Sequence, residues 1–180
     1  MLINLLKHII VLFILLFLQI AVAPNLPDPF LNINFILTVL VFISIVYNFN
    51  YGVVYGIILA IFLDLFSPAF FGANIIAVCL TLYLIYKVFE HFLTNKSFYS
   101  LIGLTFLATG IFNLILFLYK SFYYIAFMKD FNIVIYFSKI ALHELFWQII
   151  FNIFLIFIAF VISHFVSHKF KTVFVDTTKS

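Results

Sequence analysis

The sequence predicts an all-α integral membrane protein, a single bundle of about six transmembrane helices. Of its 180 residues, 67% are apolar and only 8% are charged, against roughly 25% charged residues in a typical soluble domain. A membrane-spanning helix needs about 20 mostly apolar residues, so the apolar residues suffice for about six spans and for no separate aqueous domain. Residues 9–23 and 35–46 are apolar on every face, whereas the strands of a transmembrane barrel carry polar residues at alternate positions.

Polar residues divide the chain into six predicted spans. These are residues 9–23, 30–47, 51–66, 74–89, 99–119 and 140–165. Segment 121–138 mixes aromatic side chains with Lys129 and Asp130. This composition is typical of the headgroup region, so we expect the segment to lie at the membrane interface. No internal repeat or linker divides the chain, and residues 1–180 are interpreted as one membrane domain.

The lysines predict the orientation of the bundle. With the N-terminus inside, six lysines fall on one side of the membrane and three on the other. Cytoplasmic loops are enriched in Lys and Arg, so both termini are predicted to be cytoplasmic. The first apolar run and the triplet 21–23 also imitate a cleavable signal peptide. Because Pro24 is a poor residue after a cleavage site, a retained first helix is the simpler interpretation.

Composition and spacing exclude several kinds of site. The nine basic residues, all lysine, form no cluster that would bind phosphates, so no nucleic-acid partner is predicted. Cys79 is the single cysteine, which excludes a disulfide framework and a cysteine-rich metal site. His143-Glu144 would begin a zinc-protease motif only with a histidine at position 147, which is Trp147. We therefore predict no enzyme activity, no catalytic residue, no metal and no cofactor.

The segment between the first two spans is predicted to form a rigid external corner. It contains Pro24, Pro27 and Pro29, which stiffen the chain and prevent a helix from continuing through it. Asp28 lies between two of these prolines. It is either a solvated turn residue, the N-cap of the second helix, or a contact for a partner protein.

Small residues follow one face of the third span. Gly52, Gly56, Ala60 and Asp64 recur every four residues and therefore share a face. Helices associate in lipid mainly through close packing and interhelical hydrogen bonds, and small residues permit close packing. Two uses of this face stay open, namely packing against another helix of this chain and docking of a partner's helix.

Asp64 closes this face near the predicted outer surface of the membrane. An ionisable side chain in a span usually has a partner and is a candidate functional residue. The turn that follows contains Pro68, Gly72 and Asn74. Asp64 is therefore either a functional site or an acceptor of hydrogen bonds from this turn, in which Pro68 ends the third helix and Asn74 caps the fourth.

The sixth span carries a second polar face. Glu144, Gln148 and Asn152 are spaced by four residues, with His143 beside them. Polar side chains within a span face protein rather than lipid. We interpret this face as a seam of hydrogen bonds between helices, with a proton relay through Glu144 and His143 as the alternative.

The central part of the chain resembles a known family. In order, it contains Pro27-Asp28, Gly52-x-x-x-Gly56, Asp64-Leu65, Ser67-Pro68 and Gly72-Ala73-Asn74. This succession is similar to that of the bacterial rod shape-determining protein family MreD. The resemblance covers the size of the chain, its hydropathy profile and residues 27–80, and the remaining helices match only in being apolar.

The resemblance implies a non-enzymatic scaffold of the bacterial cytoplasmic (inner) membrane, required for rod shape and lateral peptidoglycan synthesis. The implied partners besides the lipid bilayer are an MreC-like protein and, with it, the actin-like MreB, RodA and a class B penicillin-binding protein. Association of the chain with itself is left open. In fold, the family resembles the six-helix membrane subunits that bind substrate in energy-coupling-factor vitamin transporters.

Two further functions stay open. The first is a vitamin-binding subunit of such a transporter, which would need an external pocket lined by groups such as Asp64, Asn74 and Trp147. The second is a proton-coupled transporter or a lipid-handling enzyme built on His143 and Glu144.

Overall fold

The computed structural model describes residues 2–67, 71–92, 97–123, 125 and 131–166, and no strand occurs among them. The α-helices are α1 (Leu2–Phe17), α2 (Phe35–Phe42), α3 (Phe49–Phe66), α4 (Ala73–Phe92), α5 (Phe98–Tyr123) and α6 (Phe131–Val166). A π-helical turn extends α1 over Leu18–Val22 and α2 over Ile43–Tyr47, and 3₁₀ turns form at Ala23–Asn25 and Phe30–Asn32.

Five helical segments in the described part of the chain are long and apolar enough to cross a membrane. They are His8–Asn25, Phe49–Phe66, Ala73–Phe92, Phe98–Phe122 and Ala141–Ser163. This is the make-up of an all-α, multi-pass membrane protein, as the sequence predicts.

The second predicted span begins later than expected. Instead of a helix from about residue 30, the structure has a 3₁₀ turn at Phe30–Asn32 and starts α2 at Phe35. The Asn34 side chain caps α2 by accepting a hydrogen bond from the Leu37 N–H at 2.9 Å, which is why the helix starts there. With its π-helical turn, the segment Phe35–Tyr47 is an apolar helix shorter than a usual span.

Burial explains how such a short helix is stable. Its eight α-helical and five π-helical residues extend over about 20 Å, against about 30 Å of hydrocarbon in a bilayer. Residues of α2 on all sides are buried, namely Ile36, Leu37, Thr38, Leu40, Val41 and Phe42. The helix packs against α3, α5 and α6. Protein therefore encloses α2, and protein groups can satisfy the backbone at its ends.

The sixth helix is longer than predicted. It begins at Phe131 and contains 36 residues, about 54 Å of helix, so the second half of the segment 121–138 is helical. Residues 121–123 complete α5, whereas residues 124 and 126–130 lie outside the described part of the chain. The interfacial position of this segment stays a prediction.

Sequential helices run antiparallel. At one end of the α5–α6 pair the Phe98 ring lies 5.2 Å from the Phe160 ring. Further along, the Asn152 side chain donates to the Thr109 hydroxyl at 3.0 Å. In the α3–α4 pair, the Phe49 ring stacks on the Tyr86 ring at 4.2 Å. Residues at the ends of α1 and α3 and at the starts of α2 and α4 line a common cleft. These four helix termini therefore share one end of the bundle, which we name the corner end.

The small-residue face of α3 packs inside the chain. Gly52, Gly56, Ala60 and Asp64 are all buried. A Cβ atom added at Gly56 would lie 3.0 Å from the side chains of Val78 and Leu82 on α4. Of the two uses predicted for this face, the structure therefore has packing within the chain. The face is covered, which removes it as a docking surface for a partner's helix.

Of the glycines in the structure, Gly52 lies closest to a neighbouring helix. A Cβ atom at this position would lie 2.9 Å from Ser44 Cβ and 3.0 Å from Ser44 Cα, and closer still to the Ser44 hydroxyl. Because the nearest atoms include backbone, the neighbouring helix would have to move. Glycine at position 52 therefore fixes the spacing between α2 and α3.

We predict that Gly52→Ala destabilises the protein by about 1–3 kcal/mol, the usual cost of overpacking a close contact. Gly103→Ala is the matched control, since nothing lies within 4 Å of a Cβ atom there, and it should be neutral or stabilising. Apparent Tm in detergent, followed by circular dichroism, measures both effects. Ser44→Gly should restore part of the loss in Gly52→Ala, and equal Tm values for Gly52→Ala and wild type would contradict the close approach.

Candidate functional site

Asp64 organises the turn between α3 and α4. Its side chain is 4% exposed. One carboxylate oxygen accepts the Gly72 N–H at 2.9 Å, and the other accepts the Asn74 N–H at 3.0 Å and the Asn74 side-chain N–H at 2.9 Å. The last turn of α3 thus supplies the acceptors that the start of α4 requires.

The local sequence suits this arrangement. Gly72 has a φ of +101°, a conformation that glycine adopts without the steric cost of a Cβ atom. The carboxylate also lies at the positive end of the α4 dipole, where a negative charge is stabilised. Asp64 is therefore the N-terminal cap of α4, as one of the two predicted alternatives has it. Asn74, expected to be the cap, instead lies in the first turn and donates to Asp64, and Pro68 lies outside the described residues.

The corner between α1 and α2 is held by its own backbone. The Phe30 N–H donates to the Pro27 carbonyl at 2.9 Å, and the Asn32 N–H donates to the Pro29 carbonyl at 3.3 Å. Asp28 is exposed. The prediction that Asp28 caps the second helix is wrong, because α2 begins seven residues later, at Phe35, and is capped by Asn34. Its carboxylate is left at the surface of the corner.

Asn152 connects three helices inside the bundle. It is fully buried on α6. Its side-chain oxygen accepts the Asn34 backbone N–H at 3.1 Å, and its side-chain nitrogen donates to the Thr109 hydroxyl of α5 at 3.0 Å. The Thr109 hydroxyl donates in turn to the Thr105 carbonyl at 2.8 Å. A continuous hydrogen-bonded chain therefore joins the start of α2 to α5 and α6.

The predicted polar face of α6 divides into two parts. Gln148 accepts a hydrogen bond from the Asn113 side chain of α5, one turn away from Asn152. Glu144 is exposed and does not share their buried position. His143 accepts a hydrogen bond from the Trp147 indole N–H at 3.2 Å. Gln148 and Asn152 thus form the interhelical seam, without Glu144.

Gln19 fixes the first helix to the same region. Its side-chain N–H donates to the Ile33 carbonyl at 3.3 Å, and its oxygen accepts the Ile36 N–H at 3.4 Å. Neither Gln19 nor Asn34 is among the residues that the sequence predicts to be functional. A lone amide within the first apolar run was the available signal for Gln19, because such side chains in spans usually have partners.

A cleft of about 290 Å³ opens at the corner end. We name it the Asn34 cleft. Its polar lining residues are Gln19, Asn34, Ser67 and Asn74. Its apolar lining residues are Ile20, Pro24, Leu63, Phe66 and Phe112. Of the three residues proposed for a vitamin pocket, only Asn74 lines this cleft. Asp64 is hydrogen-bonded to Asn74 without lining the cleft, and Trp147 does not line it either.

No group of three or more His, Cys, Asp or Glu side chains among the described residues is placed to hold a metal ion. The polar side chains that line the Asn34 cleft are neutral amides and a hydroxyl, and the nearby Asp64 carboxylate is engaged by α4. What this arrangement offers chemically is hydrogen bonding in a partly apolar recess.

Removing the Asp64 carboxylate should destabilise the protein by at least about 2 kcal/mol, because a cap and hydrogen bonds to a charged group are lost together. Asp64→Ala should show the full loss and Asp64→Asn a smaller one, since the amide keeps one acceptor oxygen. Apparent Tm in detergent is the measurement. Asp28→Ala, which removes an exposed carboxylate at the same end, is the control, and equal effects of Asp28→Ala and Asp64→Ala would refute the capping role.

The Asn152–Thr109 hydrogen bond should give a coupling free energy of about 0.6 kcal/mol, and up to about 1.7 kcal/mol, as such bonds do between membrane helices. A double-mutant cycle of Asn152→Leu and Thr109→Val, read from unfolding in detergent, measures it. The same cycle with Thr105→Val is the control, because the Thr105 hydroxyl donates to the Leu101 carbonyl at 2.7 Å. Additive effects in the first cycle would exclude the interaction.

No protein-family model matches this chain, and neither the curated proteins nor the solved structures contain a significant match to it. What the protein does is therefore inferred from the side chains at the corner end and from the order of motifs between residues 27 and 80.

Proposed function

We propose that this protein is a non-enzymatic scaffold subunit of the bacterial cell-elongation machinery, similar to MreD. In this role it lies in the cytoplasmic membrane with both termini in the cytoplasm, and it supports rod shape and lateral peptidoglycan synthesis. The supporting observation is that several residues carrying the resemblance, namely Pro27, Asp28, Asp64, Gly72 and Asn74, lie in two corners at one end of the bundle. Those corners are the turn capped by Asp64 and the proline segment 27–29.

Fixed corners suit a scaffold because a partner binds a preorganised surface at a lower entropic cost. The Asp64 carboxylate is fully used in holding α4, so it orders the surface without itself being presented. Asp28, in contrast, is exposed between two prolines. We assign the contact with extramembrane parts of a partner to the Asp28 corner.

The partner's membrane helix needs a different surface from the one first expected, because the Gly52–Gly56 face is covered. A large apolar stripe remains on α1, where Leu6, Ile10, Phe13 and Phe17 are about half to two-thirds exposed. Their spacing of three and four residues places them on one face. We propose that the MreC-like partner packs here, with MreB, RodA and a class B penicillin-binding protein joining through that complex.

A second candidate function is favoured by the Asn34 cleft. A substrate-binding subunit of an energy-coupling-factor vitamin transporter would need such a recess, lined by polar and aromatic side chains. Native mass spectrometry of gently purified protein distinguishes this candidate, because a transport subunit would retain a small molecule.

The scaffold proposal predicts that depletion of this protein from its own bacterium makes rod-shaped cells round. It also predicts that a photoreactive benzoylphenylalanine replacing Phe13 crosslinks to an MreC-like protein. The measurements are cell outline by microscopy and mass spectrometry of the crosslinked adduct.

Phe106 on α5 supplies the matched control position, since it is also an exposed phenylalanine, and we expect no such adduct from it. Cells that remain rods after depletion would refute the scaffold role and favour the transport candidate. Equal adducts from Phe13 and Phe106 would refute the proposed α1 surface alone.

A further inference from the structure

Asn34 and Asn74 line the Asn34 cleft, and each has one end of its side-chain amide that makes no hydrogen bond within the described part of the chain. We propose that this cleft is a binding site for a small uncharged molecule with a neighbouring acceptor and donor, as in a carboxamide, a lactam or a pyrimidine-type ring. The site does not depend on the scaffold role, because its residues are separate from the α1 stripe and from Asp28.

The donor is the side-chain nitrogen of Asn34. Asn34 is 8% exposed and lines the cleft. Its side-chain oxygen is identified by its hydrogen bond from the Leu37 N–H, so the other end of the amide must be the NH₂ group. That NH₂ group makes no hydrogen bond to any described residue. The NH₂ group is not among the fully buried side-chain atoms that lack a partner, so it is open to the cleft, where a bound molecule with an acceptor would take the place of water.

The acceptor is the side-chain oxygen of Asn74. Its NH₂ group donates to the Asp64 carboxylate at 2.9 Å, and a carboxylate can only accept, so the orientation of this amide is also determined. The oxygen makes no hydrogen bond within the described part of the chain. Because Asn74 lines the same cleft as Asn34, one molecule can reach both groups.

The charge of the surroundings favours a neutral molecule. None of the described residues that line the cleft is ionisable. An anion would lie near the buried Asp64 carboxylate without a compensating cation. A cation would lose its hydration while the Asp64 oxygens already accept N–H groups from α4. Burial of either charge is therefore more costly than burial of a neutral polar group.

The size and the walls of the cleft limit the molecule to about one ring. Its volume of about 290 Å³ is just below the usual range for small-molecule pockets, about 300–1,000 Å³. Leu63, Phe66 and Phe112 provide apolar walls beside the two amides. An uncharged planar ring that carries an amide group can pack against these walls and form hydrogen bonds with both side chains.

Benzamide is a direct probe, because two compounds of nearly the same shape serve as controls. Benzoate carries a negative charge in place of the amide, and toluene has no polar group. Binding of the three compounds to the full-length protein in lipid nanodiscs can be compared by ligand-observed saturation-transfer NMR. We expect benzamide to bind and to be displaced by neither benzoate nor toluene at equal concentration.

Two variants test the location of the site. Asn34→Asp keeps the oxygen that caps α2 but removes the donor, and should weaken benzamide binding roughly tenfold, as expected for one lost hydrogen bond. Ile20→Trp fills the cleft and should abolish binding. Asn50→Asp is the matched control, since Asn50 is exposed at the opposite end of α3, and should bind as wild type does. Circular dichroism verifies that each variant is folded.

Several outcomes would overturn the proposal. Absence of benzamide binding to the wild type would mean that the cleft holds only water. Toluene binding as tightly as benzamide would show that the amides make no contribution. Unchanged binding in the folded Asn34→Asp or Ile20→Trp variant would place the molecule elsewhere. None of these outcomes bears on cell shape, so failure of this proposal and failure of the scaffold role are separable.

Discussion

The hydrogen bond from the Asn34 backbone N–H to the Asn152 side chain is the interaction on which the rest of the bundle depends. It joins residues 118 positions apart at 3.1 Å inside the protein. The first N–H groups of a helix have no partner within the helix, and those buried inside the protein need acceptors from other parts of the chain. Asn152 and Gln19 supply acceptors there, which allows α2 to begin inside the bundle and leaves the Asn34 cleft beside it.

Asp64 provides acceptors for the first N–H groups of α4 at the same end of the bundle. Here the acceptor comes from the preceding helix and carries a full charge, and a glycine with positive φ brings the chain round to meet it. Two helix starts are thus satisfied by side chains of other elements. The corner end owes its fixed geometry to these contacts, whereas Gly52 and Gly56 set the spacing of the helices below it.

Composition predicts the membrane class, and local spacing predicts much of α3, α4 and α5. The position of Asp64 before a turn also indicates its hydrogen bonds to that turn. The sequence does not predict where α2 starts or which residues pair across the polar seam, because Asn34, Thr109 and Asn152 meet only through tertiary packing. Periodicity shows which residues share a face of one helix, and gives no information on which distant side chain meets that face.

The short length of α2 also affects the electric field across the membrane. Where water fills the Asn34 cleft, the low-dielectric barrier along α2 is about 20 Å thick instead of about 30 Å. The membrane potential then falls over about two-thirds of the usual distance, so the field along α2 is about one and a half times as strong as in the surrounding bilayer. In that case the oriented peptide dipoles of this enclosed helix lie in a stronger field than those of a helix that crosses the full bilayer.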